Sequence, residues 1–123
     1  MLEKGIRHTS ETVVSDANTA IALGSGDMEV FATPAMIALM ENAAMKAVAD
    51  SLPAGSSTVG ASIDASHIRP SGKGSVIRAE AVLDAVEGRK LTFSISASDG
   101  NGTIGTATHV RYIVDRERFM SKL

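Results

Sequence analysis

One stretch, Thr33 to about Ser51, reads as the single long helix of this chain, and most of the chain beyond it reads as strand. A helix with one apolar face must bury that face, and here the only large surface on offer is a sheet. Thr33 is expected as the N-cap, with Pro34 at the first helical position, where its missing N–H is not needed. Ala, Leu, Met, Glu and Lys then dominate, and Pro53 and Gly55 stand just beyond as stop signals. At roughly 100° per residue, Asn42, Lys46 and Asp50 form a polar stripe, and Met36, Met40, Ala43, Ala44, Ala47 and Val48 form an apolar one. Glu41 belongs to neither stripe. Ile37, Ala44 and Val48 lie one and two turns from it, so its carboxylate is placed on an apolar flank, where a charge is costly unless it is partnered or useful.

Four segments with period-two alternation come after the helix. In the first, Val59, Ala61, Ile63, Ala65 and His67 share a face, which points His67 towards the core. In the second, Ile77, Ala79, Ala81, Leu83 and Ala85 alternate with Arg78, Glu80, Val82 and Asp84, and Glu87-Gly88-Arg89 makes the turn. The third sets Leu91, Phe93, Ile95 and Ala97 against Thr92, Ser94, Ser96 and Ser98, and ends in the hairpin signal Asp99-Gly100-Asn101-Gly102. The fourth runs from about Thr103 to Val114. A strand over Ile6 to Val14 and a short one over Thr19 to Leu23 are expected before the helix, and a short closing helix over Asp115 to Leu123. The sum is an α+β fold, one long central helix wrapped by a curved antiparallel sheet of about five strands. Glu41 and His67 then both lie on the side where helix meets sheet.

A chain of 123 residues fits one domain, 1–123, and buries about two-thirds of its unfolded surface without needing a staple. The chain has no cysteine, which excludes disulfides, thiolate nucleophiles and Cys-based zinc sites and fits a reducing cytoplasm. Without an apolar leader at Met1–His8 or any stretch resembling a membrane span, a soluble, cytoplasmic protein is expected. A net charge of −2, three Phe, one Tyr and no Trp provide neither a phosphate-tracking surface nor stacking platforms, so nucleic acid is not expected as a partner. The glycine pairs Gly72/Gly74 and Gly100/Gly102 lack a P-loop or dinucleotide fingerprint. His8, His67 and His109 are scattered without ligand spacing, and no metal is expected. His109 shares parity with Ala107, Arg111 and Ile113, and a structural or surface role is expected for it.

The run Val30-Phe31-Ala32-Thr33-Pro34-Ala35-Met36-Ile37-Ala38-Leu39-Met40-Glu41, then His67-Ile68-Arg69-Pro70 and Thr108-His109-Val110-Arg111-Tyr112, resembles the fluoroacetyl-CoA thioesterase group of the hotdog-fold thioesterases over nearly the whole chain. The joint spacing of Thr33, Glu41 and His67 is its most specific element and matches the family's catalytic set. The resemblance implies a hotdog fold and a homodimer in which two sheets join edge to edge, with a tetramer left open. It also implies a site near the dimer interface for an acyl-CoA substrate, with no cofactor beyond the CoA of the substrate itself. It suggests that Gly60 lies by the thioester carbonyl and that Arg111 contributes at the site. Gly24-Ser25-Gly26-Asp27 lacks the aromatic residues associated with the gate of the fluoroacyl-selective member, so the resemblance leaves the acyl group open.

Thioester hydrolysis needs a nucleophile or activated water, a base, and donors for the developing oxyanion. Glu41 would serve as base or attack the carbonyl itself. Thr33 would hold the water, orient Glu41 or be acylated. His67 would donate towards the departing sulfur or activate water. First-turn N–H groups of the helix, or the backbone at Gly60, would meet the oxyanion. Met36, Met40 and Ile63 would line the acyl pocket, and Arg69, Lys73 and Arg78 would meet the CoA phosphates. The expected activity is hydrolysis of a small or short-chain acyl-CoA to the free acid and CoA. Two alternatives are an enoyl-thioester hydratase or dehydratase of the same fold and a non-catalytic acyl-CoA binding module. The hydratase reading is weakened because Asp64 and His67 have opposite strand parity.

Overall fold

The computed structural model describes residues 2–123. Its elements run β1 (Arg7–Val13), α1 (Ala20–Leu23), α2 (Thr33–Ala49), β2 (Ser56–His67), β3 (Val76–Glu87), β4 (Lys90–Asp99), β5 (Gly102–Asp115) and α3 (Arg116–Met120). The strands form one sheet in the order β1-β3-β4-β5-β2, and every pairing is antiparallel. This is the helix-wrapped antiparallel sheet expected from one helical period followed by four alternating segments. Both Met36 and Met40 of α2 are wholly buried, facing Ile77, Leu83, Leu91, Phe93 and Ile104 across the helix-to-sheet layer. Each such side chain contributes about 1.5–3 kcal/mol by leaving water. Ala43 and Ala44 have no exposed surface, and their small volume lets the sheet lie close against the middle of α2.

Four local expectations are corrected. Thr19 to Leu23 is not a strand but begins and forms the helical turn α1. Thr19 Oγ1 accepts from Ala22 N–H at 3.3 Å, and Gly24, at φ 71°, closes the turn in the left-handed region that glycine enters without cost. Thr33 is not the cap of α2: Ala32 stands at that position with no side-chain cap bond, and the Thr33 hydroxyl is used elsewhere. The face shared by Val59, Ala61 and Ile63 is interrupted by a bulge between Gly60 and Ser62. An extra residue inverts parity, so Thr58 and Gly60 turn towards α2 before the bulge, and Ile63, Ala65 and His67 do so after it. Asn42, placed in the polar stripe of α2, faces β1 and accepts from Ser10 Oγ at 2.7 Å.

At either edge of the sheet lie β1 and β2. With 12 residues β2 is the longer, and it carries Gly60 near one end and His67 at the other. Among the described residues no helix is long and apolar enough to cross a membrane.

Candidate active site

The site residues fall into two groups at the two ends of β2. The first is Thr33 with His67. Because no cap bond occupies it, Thr33 Oγ1 shares a hydrogen bond of 2.8 Å with His67 Nδ1, joining the first turn of α2 to the last residue of β2. His67 Nε2 is buried and has no hydrogen-bond partner among the described residues. A buried ring nitrogen without a partner is costly, and His67 is among the residues lining a cleft of about 280 Å³, with Thr33, Phe31, Ala20, Ser25 and Arg69.

The second group is built around Arg111 on β5, whose side chain is buried. Thr58 holds it from β2: Arg111 Nε donates to Thr58 Oγ1 at 2.8 Å and Nη2 donates to the Thr58 carbonyl at 3.0 Å. Arg111 Nη1 donates to Glu41 Oε2 at 3.3 Å and also lies 3.3 Å from His109 Nε2. A Cβ on Gly60 would run into Glu41 Oε2 and stand 3.4 Å from both Arg111 Nη1 and His109 Cε1. Gly60 therefore leaves the Glu41 carboxylate room to reach Arg111.

Glu41 does not sit in an apolar pocket. Its side chain is 42% exposed, and its neighbours are a guanidinium and an imidazole. The expectation of a carboxylate flanked only by Ile37, Ala44 and Val48 fails because the sheet brings charged and polar groups from β2 and β5 over that flank. Nor do Thr33 and Glu41 meet within one chain: eight residues of α2 separate them, about 12 Å along the axis at the usual helical rise.

His109 faces inward. Its Nδ1 lies 2.7 Å from the Ser62 carbonyl, which can only accept, so the Nδ1 hydrogen donates to it. Burial lowers the His109 pKa below the ordinary imidazole value, with the Arg111 charge adding to the effect, while the Ser62 bond and Glu41 oppose it. The unfolded chain therefore takes up a proton more readily than the folded one as the pH falls below 6.5, the ordinary histidine value. Stability linked to His109 is thus retained above 6.5 and lost progressively below it, down to the lowered folded pKa. The thermal midpoint is expected to fall between pH 7 and pH 5, and His109→Gln is expected to flatten that slope; an equal slope in the variant would assign the loss to other groups.

Other candidates are placed differently. Met36 and Met40 are wholly buried in the core, behind the site. Arg69 donates to Asp99 at 2.6 Å. Asp99 in turn accepts from Ser71 at 2.8 Å, and that hydroxyl, with the Asn101 N–H, holds the carboxyl below its usual range. Lys73 pairs with Asp16 and Glu29, and Arg78 with Glu11 at 2.8 Å. All three cations expected at the CoA phosphates are engaged by carboxylates. Asp64 and His67 do lie on opposite faces of β2, since Asp64 is exposed beyond the bulge while His67 turns to Thr33. Among the described residues no group of three His, Cys, Asp or Glu could hold a metal ion. Thr58 and His109 are the residues that sequence reasoning did not assign to the site. The inward parity of His109 was the available signal, and for Thr58 the unforeseen bulge concealed it.

Residues 14–117 match the family described as fluoroacetyl-CoA-specific thioesterase. The fluoroacetyl-CoA thioesterase of Streptantibioticus cattleyicolor is 39% identical over 95 residues, which span 77% of this chain and 68% of that protein. A solved variant of the fluoroacetyl-CoA thioesterase in complex with acetyl-CoA superposes with a TM-score of 0.92 at 34% identity, over 98% of this chain and 96% of the other. A hot-dog-like protein from Thermanaerovibrio acidaminovorans, at 23% identity and a TM-score of 0.87 over 97% of this chain and 88% of its own, shares the fold. The chain belongs to the fluoroacetyl-CoA-specific thioesterase family and is a thioester hydrolase of the hotdog fold.

Proposed function

We propose that this enzyme hydrolyses a small acyl-CoA in a site completed by two copies of the chain, with Thr33 and His67 supplied by one copy and Glu41, Arg111 and Gly60 by the other. The observation that carries this reading is the division of the site residues between the two ends of β2, an edge strand. An antiparallel pairing of β2 with a second β2 about a two-fold between Ile63 and Asp64 would set His67 of one copy beside the Gly60 bulge of the other. The two incomplete groups then form two complete sites, and the exposed edge is satisfied. The binding of acetyl-CoA by a variant of the related thioesterase and the small cleft beside Thr33 support a small acyl group. The lack of cysteine fits action in the reducing cytoplasm.

In this site Glu41 takes a proton from a water as its oxygen adds to the thioester carbon. The uncapped first turn of α2 and the backbone at Gly60 meet the oxyanion, and Arg111 adds positive charge beside it. The C–S bond then breaks, and the sulfur leaves as thiolate with His67 Nε2–H donating to it. The proton held by Glu41 passes to solvent or to the thiolate. Thr33 keeps the His67 ring in place through Nδ1. Met36 and Met40 back the acyl cleft from the core.

Two measurements test this. Wild-type protein is expected to release free thiol from acetyl-CoA and other short acyl-CoAs; an enoyl-CoA hydrated without thiol release, or binding with no turnover, would favour the alternatives. Glu41→Gln and His67→Gln are each expected to be inactive. Co-expressed, they form one intact and one doubly altered site per mixed dimer and should recover about a quarter of wild-type activity if chains assort randomly between two-fold-related copies. Failure to recover any activity would place the whole site within one chain.

A further inference from the structure

We propose that His109 is a positioning residue that aims Arg111 at the Glu41 carboxylate, and so rests on the reading above in which Glu41 takes the proton from water. His109 is 1% exposed, and both of its ring nitrogens are committed. The Ser62 carbonyl 2.7 Å from Nδ1 fixes the hydrogen there, because a carbonyl oxygen offers only lone pairs. A neutral ring with its hydrogen on Nδ1 has a lone pair on Nε2, and the group facing it at 3.3 Å is Arg111 Nη1. The imidazole therefore accepts from the guanidinium.

Counting donors shows what that contact does. A guanidinium has five N–H groups in a rigid plane. Thr58 takes one from Nε and one from Nη2. Nη1 has two hydrogens, and the two acceptors within reach are His109 Nε2 at 3.3 Å and Glu41 Oε2 at 3.3 Å. With His109 holding one, the other is directed at the carboxylate. Without that acceptor a buried N–H loses its partner, and the plane can tilt about its two Thr58 bonds to seek another. Glu41 is the nearest, and its oxygen would be drawn from the space over Gly60.

The groups packed around the ring agree with this role. Phe93 on β4 covers it with ring centroids 6.3 Å apart, Arg111 lies beside it on β5, Glu41 approaches from α2 with Oε2 at 3.8 Å, and Ser62 on β2 closes the bulge. A protonated ring would confront the Arg111 charge and would have no lone pair to offer. His109 thus ties the bulge that exposes Gly60 to the cation that holds Glu41.

Two substitutions separate the functions of the two nitrogens. Asn carries an N–H donor near the Nδ1 position and cannot reach Arg111, whereas Gln can place an oxygen near the Nε2 position and accept from it. His109→Asn is expected to lower kcat for acetyl-CoA by about 10–100-fold, the scale set by misplacing a reacting group, with KM altered less than about twofold and the fold retained. His109→Gln is expected to recover kcat to within about threefold of wild type by restoring the acceptor. Equal kcat in Asn and Gln variants, or losses that follow the thermal midpoint alone, would reduce His109 to a structural residue and overturn the proposal. Independently of turnover, histidine nitrogen NMR of the wild-type protein at neutral pH should show His109 as the neutral ring protonated on Nδ1. A ring protonated on Nε2, or on both nitrogens, would overturn the proposal even in an active thioesterase. Since that readout uses no substrate, it stands apart from any failure of the thioesterase reading itself.

Discussion

Glu41→Gln is expected to lower kcat for acetyl-CoA by about 10²–10⁴-fold, the span a positioned general base contributes, while the protein keeps its fold and assembly. Gln preserves the length and shape of the side chain, and its amide oxygen can still accept from Arg111 Nη1, which Glu41 Oε2 meets at 3.3 Å in the native protein. What it loses is the capacity to take a proton. Glu41→Ala removes the acceptor as well, leaving a buried Arg111 N–H without a partner, so it should lose about 1–3 kcal/mol of stability that Gln retains. Thiol release from acetyl-CoA, measured with thermal midpoints for both variants, separates the two effects. Full turnover in Glu41→Gln would end the role assigned to this carboxylate, whatever the Ala variant does.

Much of the fold was legible because it rests on period. Met36, Met40, Ala43, Ala44 and Val48 of α2 and the inward sets of β3 and β4, Ile77 to Leu83 and Leu91 to Ala97, are buried as their periods require. The errors arise where one residue changes a phase or a hydroxyl has two uses. Nothing in Val59-Gly60-Ala61-Ser62 distinguishes a regular strand from a bulge, because both satisfy the composition. The bulge depends on pairing with β5, where Gly60 opposes Arg111 and Ser62 opposes Val110. Likewise Thr33 followed by Pro34 has the signature of a capped helix, yet the hydroxyl bonds to His67, 34 residues away. Thr19 and Gly24 did have the signature of a capped short turn, but in so short a span the β-branched and apolar residues favoured a strand reading. As for the candidate site, Thr33, Glu41 and His67 were singled out by their joint spacing, whereas the guanidinium that meets Glu41 lies 70 residues along the chain on β5, and the imidazole beside it belongs to the same strand. A local reading of the Glu41 helix face could not foresee them.

Gly105→Ala is expected to destabilise the protein by about 1–3 kcal/mol, the usual cost of forcing an extra methyl into a filled core, which for a chain of this length lowers the thermal midpoint by about 4–12 °C. Gly105 has an ordinary backbone conformation, so its requirement is one of space. A Cβ there would stand 2.6 Å from Met36 Sδ and 2.6 Å from the Ser66 carbonyl oxygen. Met36 is a flexible side chain but wholly buried, and the Ser66 oxygen belongs to the backbone of β2 and cannot swing aside. Either α2 lifts from the sheet at its first turn, or β2 is pushed away from β5 where His67 opposes Gly105. Both movements act on the 2.8 Å contact between Thr33 and His67, so kcat should fall together with stability. A double-mutant cycle with Met36→Ala identifies the cause: if the methyl competes chiefly with the thioether, Gly105→Ala costs less in that background, and if the Ser66 carbonyl is the obstacle, the cost is undiminished. An unchanged midpoint in Gly105→Ala alone would mean that helix and sheet can separate there freely. The glycine would then not be what lets the first turn of α2 approach the end of β2.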